Sequence, residues 1–239
     1  MNQGTYPLAA SMINQINRLD QISNNLANIN TNGFKQEGTS ETTFNYYLQR
    51  AQEQNIAPTK INTVVNNIPK IDSKFINSEM GPIAMTGNTF DFALSNPDTF
   101  FKIQNQNGDI VYTRDGAFKN LDNFLVDGNG NNVLNADNEP IVIDEDTASQ
   151  IGVVKVSYDD LEKIGDNTYL AKSSAQIESF ENNDSLIVKG AIEKSNVNSV
   201  STMVELIDAN RRFEQAQKAV KSIDELNASL IEKIGSNTK

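Results

Sequence analysis

Apolar residues recur at helical spacing over a long stretch at each end of this chain, and between those stretches lie short alternating runs broken by turn residues. Every seventh residue from Thr5 reads Met12, Leu19 and Leu26, and every seventh from Leu8 reads Gln15, Ile22 and Ile29. Together they make a heptad seam with one polar interruption. The spacing predicts a helix from Thr5 that stops between Asn24 and Lys35. About 25 residues of helix would be roughly 38 Å long, so the stripe needs a second long helix as its cover. The stop follows from side-chain chemistry. Asn30, Thr31 and Asn32 compete for the backbone with their own polar groups, and Gly33 supplies the left-handed conformation that closes a helix C-terminus. Gln21 with Asn25, and Asn24 with Asn28, fall four residues apart and put amides along one flank of the seam. Those amides are either a solvated face or hydrogen-bonding groups that fix register between helices at some cost in stability.

At the other end, Ser195 or Asn196 can cap a helix in which Val197, Val200, Val204 and Ile207 follow at helical spacing. A second phase contains Phe213, Ala216, Val220, Ile223, Leu230 and Ile234, with Asn227 at one core position. The two phases share no register, so the pattern predicts an apolar stripe that winds around the helix near Asn210 and Arg211. From Asn196 to Ile234 the helix would run about 58 Å.

The middle reads as all-β from about Phe75. Asn107-Gly108, Asp115-Gly116, Asp127-Gly128 and Asp137-Asn138 are closely spaced turn signals. Between and beyond them the expected strands are Phe100 to Ile103, Ile110 to Thr113, Ala117 to Phe118, Phe124 to Val126, Val133 to Leu134, Ile141 to Ile143, Val153 to Tyr158, Thr168 to Ala171 and Leu186 to Ala191. Gln36 to Ser73 is polar and reads as a connection. Within it, Thr42 to Gln54 suits a short helix ended by Pro58, and Ile61 to Ile71 suits a strand that Pro69 confines to an edge or an end.

The run Asn24-Asn25-Leu26-Ala27-Asn28-Ile29-Asn30-Thr31-Asn32-Gly33-Phe34-Lys35 closely resembles the N-terminal signature of bacterial flagellar rod and hook axial proteins. Asp91-Phe92-Ala93-Leu94 followed by Phe100-Phe101-Lys102-Ile103 resembles the strand pair that opens that family's globular domain, and Tyr112-Thr113-Arg114-Asp115-Gly116-Ala117-Phe118 resembles its hairpin. Ser195-Asn196-Val197-Asn198, with Met203-Val204 and Asn210-Arg211, is similar to its C-terminal signature.

The resemblance implies an α+β fold. Residues 1-35 and 195-239 would pack as long helices into a coiled-coil-like inner domain, 36-74 would connect, and 75-194 would form a central all-β globular domain. It also implies a function: a structural subunit that polymerises helically into the basal-body rod, the hollow drive shaft that carries torque from motor to hook. Asn24, Asn25, Leu26, Ala27, Asn28, Asn30, Thr31, Gly33, Phe34, Lys35, Ser195, Asn196, Val197, Asn210 and Arg211 would be the assembly motif. Met12, Leu19, Ile22, Leu26, Ile29, Val204, Ile207, Phe213, Val220, Ile223 and Leu230 would be the helix-packing interface. The implied partners are copies of the chain, other rod and hook axial proteins, the flagellar type III export apparatus and, as candidates on the outer face, peptidoglycan or bushing rings. The implied location is the periplasm-spanning rod, reached by export without a cleaved signal peptide. A single outer domain, and a Gln36 to Ser73 segment without the distal-rod pattern, favour a proximal-rod or second-rod variant, with a distal rod protein as the alternative.

Composition narrows the chemistry. The net charge is −11 over 239 residues, with a sequence pI near 4.5. No basic cluster exists to displace counterions, so nucleic acid and anionic membrane surfaces are disfavoured. Cys, His and Trp are absent, which removes thiol nucleophiles, disulfides, imidazole bases and the usual structural zinc sites. The first cationic side chain is Arg18 and no apolar run approaches 18 residues, so neither a secretory signal nor membrane insertion is expected. No cofactor or metal is called for. Asp127 to Asn132 starts like a calcium loop but has Asn132 where the loop glycine belongs and Asn138 where the bidentate Glu belongs, so a β-turn is expected. Asp144, Glu145 and Asp146 allow one rival from another class, a carboxylate-based cell-wall glycosidase, although adjacent loop residues rarely reach the required 5 to 10 Å separation. A soluble scaffold whose end helices pair only with each other is a third reading. Arg114 beside Asp115 is expected to be a turn ion pair.

Overall fold

The computed structural model describes residues 5–43, 69–144, 147–165, 167–180 and 185–236. The chain is α+β, with an N-terminal helix, a mostly β centre and a C-terminal helix. It divides into two units, one formed by Met1–Leu26, Glu37–Phe75 and Ser199–Lys239, the other by Ala27–Gln36 and Ile76–Asn198.

The first unit holds helix α1 (Thr5–Ala27), strands β1 (Glu37–Thr43) and β2 (Pro69–Ile76), and the C-terminal helix, here α3 (Ser199–Ser236). In α1 the heptad seam is the covered face: Met12, Gln15 and Leu19 are half-buried and Ile22 is buried. The 38 residues of α3 give a length of about 57 Å. Its covered face is not the winding stripe expected from the sequence. Thr202, Leu206, Ala209, Phe213, Ala216, Val220 and Ile223, spaced alternately by four and three, are all buried or half-buried, a single heptad seam without a phase break. Val200, Val204 and Ile207 lie on a different, exposed face. The polar Thr202 and the small Ala209 occupy seam positions, which is why apolar periodicity alone pointed to the wrong register.

Glu37–Thr43 and Pro69–Ile76 pair as a two-stranded sheet, so the expected helix does not include Thr42 and Thr43. Its remainder, like the strand expected from Ile61, lies outside the described residues, apart from the segment of β2 that Pro69 opens.

The second unit is built on β3 (Ile83–Met85), β4 (Phe92–Leu94), β5 (Thr99–Gln104), β6 (Ile110–Thr113), β7 (Lys119–Leu121), β8 (Phe124–Val126), β9 (Asn132–Val133), the short helix α2 (Thr147–Gln150), β10 (Val153–Lys155), a 3₁₀ turn at Tyr158–Asp160, β11 (Leu161–Gly165), β12 (Thr168–Ala171), β13 (Glu178–Ser179), β14 (Ile187–Lys189) and β15 (Ala191–Glu193). Nine strands form one sheet, in the order β11-β12-β6-β5-β9-β8-β7 with β10 and β13 branching from β5. Strand β5 is covered on both faces. Phe101 and Ile103 join a core with Val111, Phe118, Leu125, Val133, Ile151 and Val153, while Phe100 joins Tyr112, Val154, Tyr158 and Tyr169 on the other side. Phe100, Tyr158 and Tyr169 meet edge to face, with ring centroids 5.0–5.8 Å apart, a geometry favoured by the ring quadrupoles.

Several local expectations change: the strands expected at Ala117 to Phe118 and Ile141 to Ile143 are isolated bridges only, Ala117 to Asp91 and Val142 to Phe124. Phe92–Leu94 and Thr99–Gln104 are consecutive strands in different sheets, because β4 pairs with β14. The Tyr112 to Phe118 segment is not a hairpin: β6 pairs with β5 and β12, and the chain then crosses so that Ala117 bridges Asp91. Gly116 makes that crossing possible, since a Cβ there would lie 1.7 Å from the Phe92 carbonyl oxygen. The run Leu186 to Ala191 splits at left-handed Gly190 into β14 and β15, and β15 pairs with β3 instead.

Candidate functional site

The chemistry of this molecule concentrates where the segment after α1 and the segment before α3 enter the second unit. α1 ends at Ala27, short of Gly33, and the asparagine run coils through turns in which Thr31 Oγ1 donates to Asn28 Oδ1 (3.1 Å). Gly33 is left-handed as expected, with φ +66°, but for another reason. Its amide donates to the Glu193 carbonyl (2.7 Å), and a Cβ would lie 2.4 Å from the Arg114 carbonyl carbon. It therefore serves a close backbone approach rather than a helix cap.

That approach delivers Phe34 and Lys35 into the interior. Phe34 is buried, with the Lys163 ammonium 4.2 Å from its ring centroid, a cation–π contact. Lys35 Nζ donates to Glu193 Oε1 (2.8 Å) and to the Glu79 carbonyl (2.6 Å). Glu193 Oε1 also accepts the Gly81 amide (2.8 Å), and its Oε2 accepts Arg114 Nε (2.6 Å). Arg114 Nη2 lies equally close to Oε2, at 2.6 Å, but as an ion contact without hydrogen-bond alignment. Nη1 is ringed by the carbonyls of Asn96 (2.7 Å), Pro97 (3.0 Å) and Thr99 (2.6 Å). None of the three side chains is more than 1% exposed. Arg114 thus pairs across the fold with Glu193 and not with its neighbour Asp115, whose Oδ1 instead accepts the Ala117 amide (3.0 Å).

Two cations and one carboxylate leave this buried triad with one surplus positive charge. Burial pushes the Lys35 ammonium below its usual range, Glu193 opposes that shift, and Arg114 adds to it. Burial likewise pushes the Asp115 carboxyl up, with the Ala117 amide holding it back.

Asn196 ties the same two chain segments together. Its Oδ1 accepts the Gln36 amide (2.7 Å), its Nδ2 donates to the carbonyls of Asn77 (3.0 Å) and Glu79 (2.9 Å), and its own amide donates to the Phe34 carbonyl (3.3 Å). It is therefore not the N-cap of the last helix, which starts at Ser199, and Ser195 Oγ accepts the Val197 amide (3.3 Å) in a local turn. On the far side Asn167 Nδ2 donates to the Asn32 carbonyl (2.9 Å), clamping the strap from the β11–β12 turn.

The remaining assembly-motif residues divide. Asn25 is buried and makes a reciprocal pair with the main chain of Glu37, donating to its carbonyl (2.8 Å) and accepting its amide (3.0 Å). It is neither a solvated amide nor one that reaches a second helix. Asn24, Ala27 and Asn30 are exposed, Leu26, Asn28 and Thr31 half-buried, and Asn210 and Arg211 exposed on α3. Among the packing residues, Met12, Leu19, Leu26, Ile29, Phe213, Val220 and Ile223 are half-buried, Ile22 is buried, and the Leu230 side chain lies outside the described residues. The sequence reading missed Glu193, the true partner of Arg114, and Asn167. No local signal marks them, because Lys35, Arg114 and Glu193 are separated by 79 and 158 residues of chain.

The other candidate sites resolve into turns. Asp127 Oδ1 accepts the amides of Asn129 and Asn131 (both 2.8 Å), and Oδ2 accepts Asn131 Nδ2 (2.8 Å), which closes the β8–β9 connection. The Asp144 amide donates to Thr147 Oγ1 (2.9 Å) and its Oδ2 accepts Gln150 Nε2 (2.7 Å), so it anchors α2. Glu145 and Asp146 lie outside the described residues. Among the described residues no cluster of three potential metal ligands occurs, and no helix is long and apolar enough to cross a membrane.

Three family models match the chain. Residues 9–35 match the flagella basal body rod protein model, 96–156 the flagellar hook protein FlgE/F/G D1 domain, and 188–232 the flagellar basal body rod FlgEFG protein C-terminal. Each contributes one member of the buried triad. The chain is 30% identical over 236 residues to flagellar basal-body rod protein FlgF of Caulobacter vibrioides, covering 91% of both. It is 30% identical over 267 residues to flagellar basal-body rod protein FlgG of Bacillus subtilis, covering 97% of this chain and 98% of that one. It is 28% identical over 244 residues to flagellar basal-body rod protein FlgG of Buchnera aphidicola subsp. Schizaphis graminum, covering 89% and 92%.

Proposed function

The chain belongs to the flagellar basal-body rod protein family and is a structural subunit of the basal body, and from that premise we propose that it polymerises helically through its terminal helices into the hollow rod. In this reading the covered seams of α1 and α3 pack on one another in coiled-coil fashion, and these helices form the inner tube. The observation that carries this reading is an apolar surface left on both helices: Ile13 and Ile16 on α1, and Val200, Met203, Val204 and Ile207 on α3, are all exposed. An apolar stripe at helical spacing facing water marks an interaction site.

In this reading the buried triad is the mechanical root of the subunit. It fastens the segment leaving α1 and the segment entering α3 to the same β framework. The role is structural and involves no catalysis, cofactor or metal. The partners are copies of the chain and neighbouring axial proteins, with delivery through the flagellar type III export apparatus and without signal cleavage. Peptidoglycan or a bushing ring is the proposed neighbour of the outer face, and the subunit occupies the proximal or second-rod position. Sedimentation and electron microscopy of the purified subunit test polymerisation, and labelling along isolated basal bodies tests position. A subunit that stays monomeric at every concentration and is absent from basal bodies contradicts the proposal; labelling of the distal rod contradicts the position alone.

A further inference from the structure

Each terminal helix carries two apolar faces. On α1 the covered seam passes through Met12, Leu19 and Ile22, while Ala9, Ile13 and Ile16 make a second, exposed row that ends one turn later at exposed Asp20. On α3 the covered seam passes through Thr202, Ala209 and Phe213, while Val200, Val204 and Ile207 make an exposed row that ends one turn later at exposed Arg211. Ile13 is 58% and Ile16 43% exposed; Val200, Val204 and Ile207 are 71%, 54% and 51% exposed. At about 100° per residue the exposed row is centred roughly 105° from the seam on α1 and nearly opposite the seam on α3. One helix partner cannot cover both faces.

The two rows have the same spacing. Ala9, Ile13, Ile16 and Asp20 step by four, three and four, and so do Val200, Val204, Ile207 and Arg211. Laid side by side in parallel they match at every position, Ile13 on Val204, Ile16 on Ile207, and the carboxylate of Asp20 against the guanidinium of Arg211. The same steps also fit in the antiparallel direction, but that arrangement sets Asp20 against Val200 and Arg211 against Ala9, covering each charge with an apolar side chain. Charge therefore selects the parallel register.

We propose that the exposed row of α1 in one subunit docks, parallel and in this register, on the exposed row of α3 in a second copy of the chain, with Asp20 and Arg211 closing the contact. The contact joins two different surfaces and is therefore heterologous, the type that propagates into an open helical assembly. It rests on the rod reading and assigns one face of each helix to the subunit itself and another to its neighbour.

The chain has no cysteine, so single-cysteine variants report this contact without background. Full-length Ile16→Cys and Ile207→Cys are mixed as separate subunits, assembled and oxidised, beside a mixture of Ile13→Cys and Ile207→Cys, the pair that the antiparallel arrangement would join. A disulfide requires Cα atoms within about 7 Å, and the expected result is a 16–207 cross-link between copies about fivefold above the 13–207 product. In parallel, Asp20→Arg and Arg211→Asp each raise the critical concentration for assembly about fivefold, and the two combined in one chain restore it to within about twofold of wild type. Both sites are exposed, and circular dichroism of the monomers checks that the variants fold. A polymer that lacks the 16–207 cross-link, a dominant 13–207 product, or a double variant no better than either single overturns the contact while leaving the rod reading standing. A wild-type subunit that never assembles removes the rod reading itself, and this contact with it.

Discussion

Glu193 is the position where the account can be tested most sharply within one subunit. Replacing it with Gln keeps the shape and one acceptor oxygen but removes the carboxylate that pairs with two buried cations, Lys35 at 2.8 Å and Arg114 at 2.6 Å. Breaking a buried pair by neutralising one partner costs about 3–5 kcal/mol. Here two cations lose their counter-charge together, so the upper end of that range applies, a large part of the 5–15 kcal/mol typical of a whole domain. Lys35→Met acts in the opposite electrostatic sense. It removes the surplus charge, leaves Glu193 and Arg114 as a matched pair, and forfeits mainly the donation to the Glu79 carbonyl, at a cost of about 1–2 kcal/mol. The expected order is therefore wild type, then Lys35→Met, then Glu193→Gln, read from urea unfolding followed by near-ultraviolet circular dichroism of the buried tyrosines, since the chain has no tryptophan. A Glu193→Gln protein within about 0.5 kcal/mol of wild type, or one more stable than Lys35→Met, refutes the triad as described.

Other outcomes follow from the same geometry. Gly33→Ala combines a left-handed backbone with a Cβ 2.4 Å from the Arg114 main chain, and urea unfolding should show a loss of at least about 2 kcal/mol. Asn25→Ala leaves the Glu37 amide and carbonyl without their side-chain partners, a loss of about 1–3 kcal/mol that should speed hydrogen exchange at Glu37. Burial raises the native Asp115 carboxyl above its unfolded value of 3.8, so its contribution to stability is full below that pH and is lost as pH rises through the native value. Wild type should lose stability relative to Asp115→Asn over that interval, and a flat difference between the two would contradict it. With a net charge of −11 per subunit, assembly should strengthen from low to moderate salt as repulsion is screened within about 8 Å; sedimentation showing unchanged or weaker assembly contradicts this.

The sequence revealed what is periodic or chemically local. The α1 seam, the left-handed Gly33, and strands such as Ile110–Thr113, Phe124–Val126 and Thr168–Ala171 follow from spacing and turn residues. Pairing was not legible. Nothing local shows that β4 leaves β5 for β14, or that Arg114 passes over adjacent Asp115 to reach Glu193, 79 residues away. The α3 seam was misread because Thr202 and Ala209 hold buried heptad positions while the more apolar Val200, Val204 and Ile207 face outward, an arrangement that a single subunit does not explain. The asparagine run was recognisable as a signature, but the intramolecular part of its work was not legible: Asn25 braces the start of β1, and the run leads Phe34 and Lys35 into a buried position.

Hydrogen exchange read by mass spectrometry on the same full-length protein, as monomer and after assembly, tests the central claim most directly. The account predicts that residues 9–20 and 200–211 gain further protection on assembly, beyond what their covered seams give the monomer, whereas residues 31–36 and 191–197 are equally protected in both states. Helix segments already as slow to exchange in the monomer as in the polymer would contradict it.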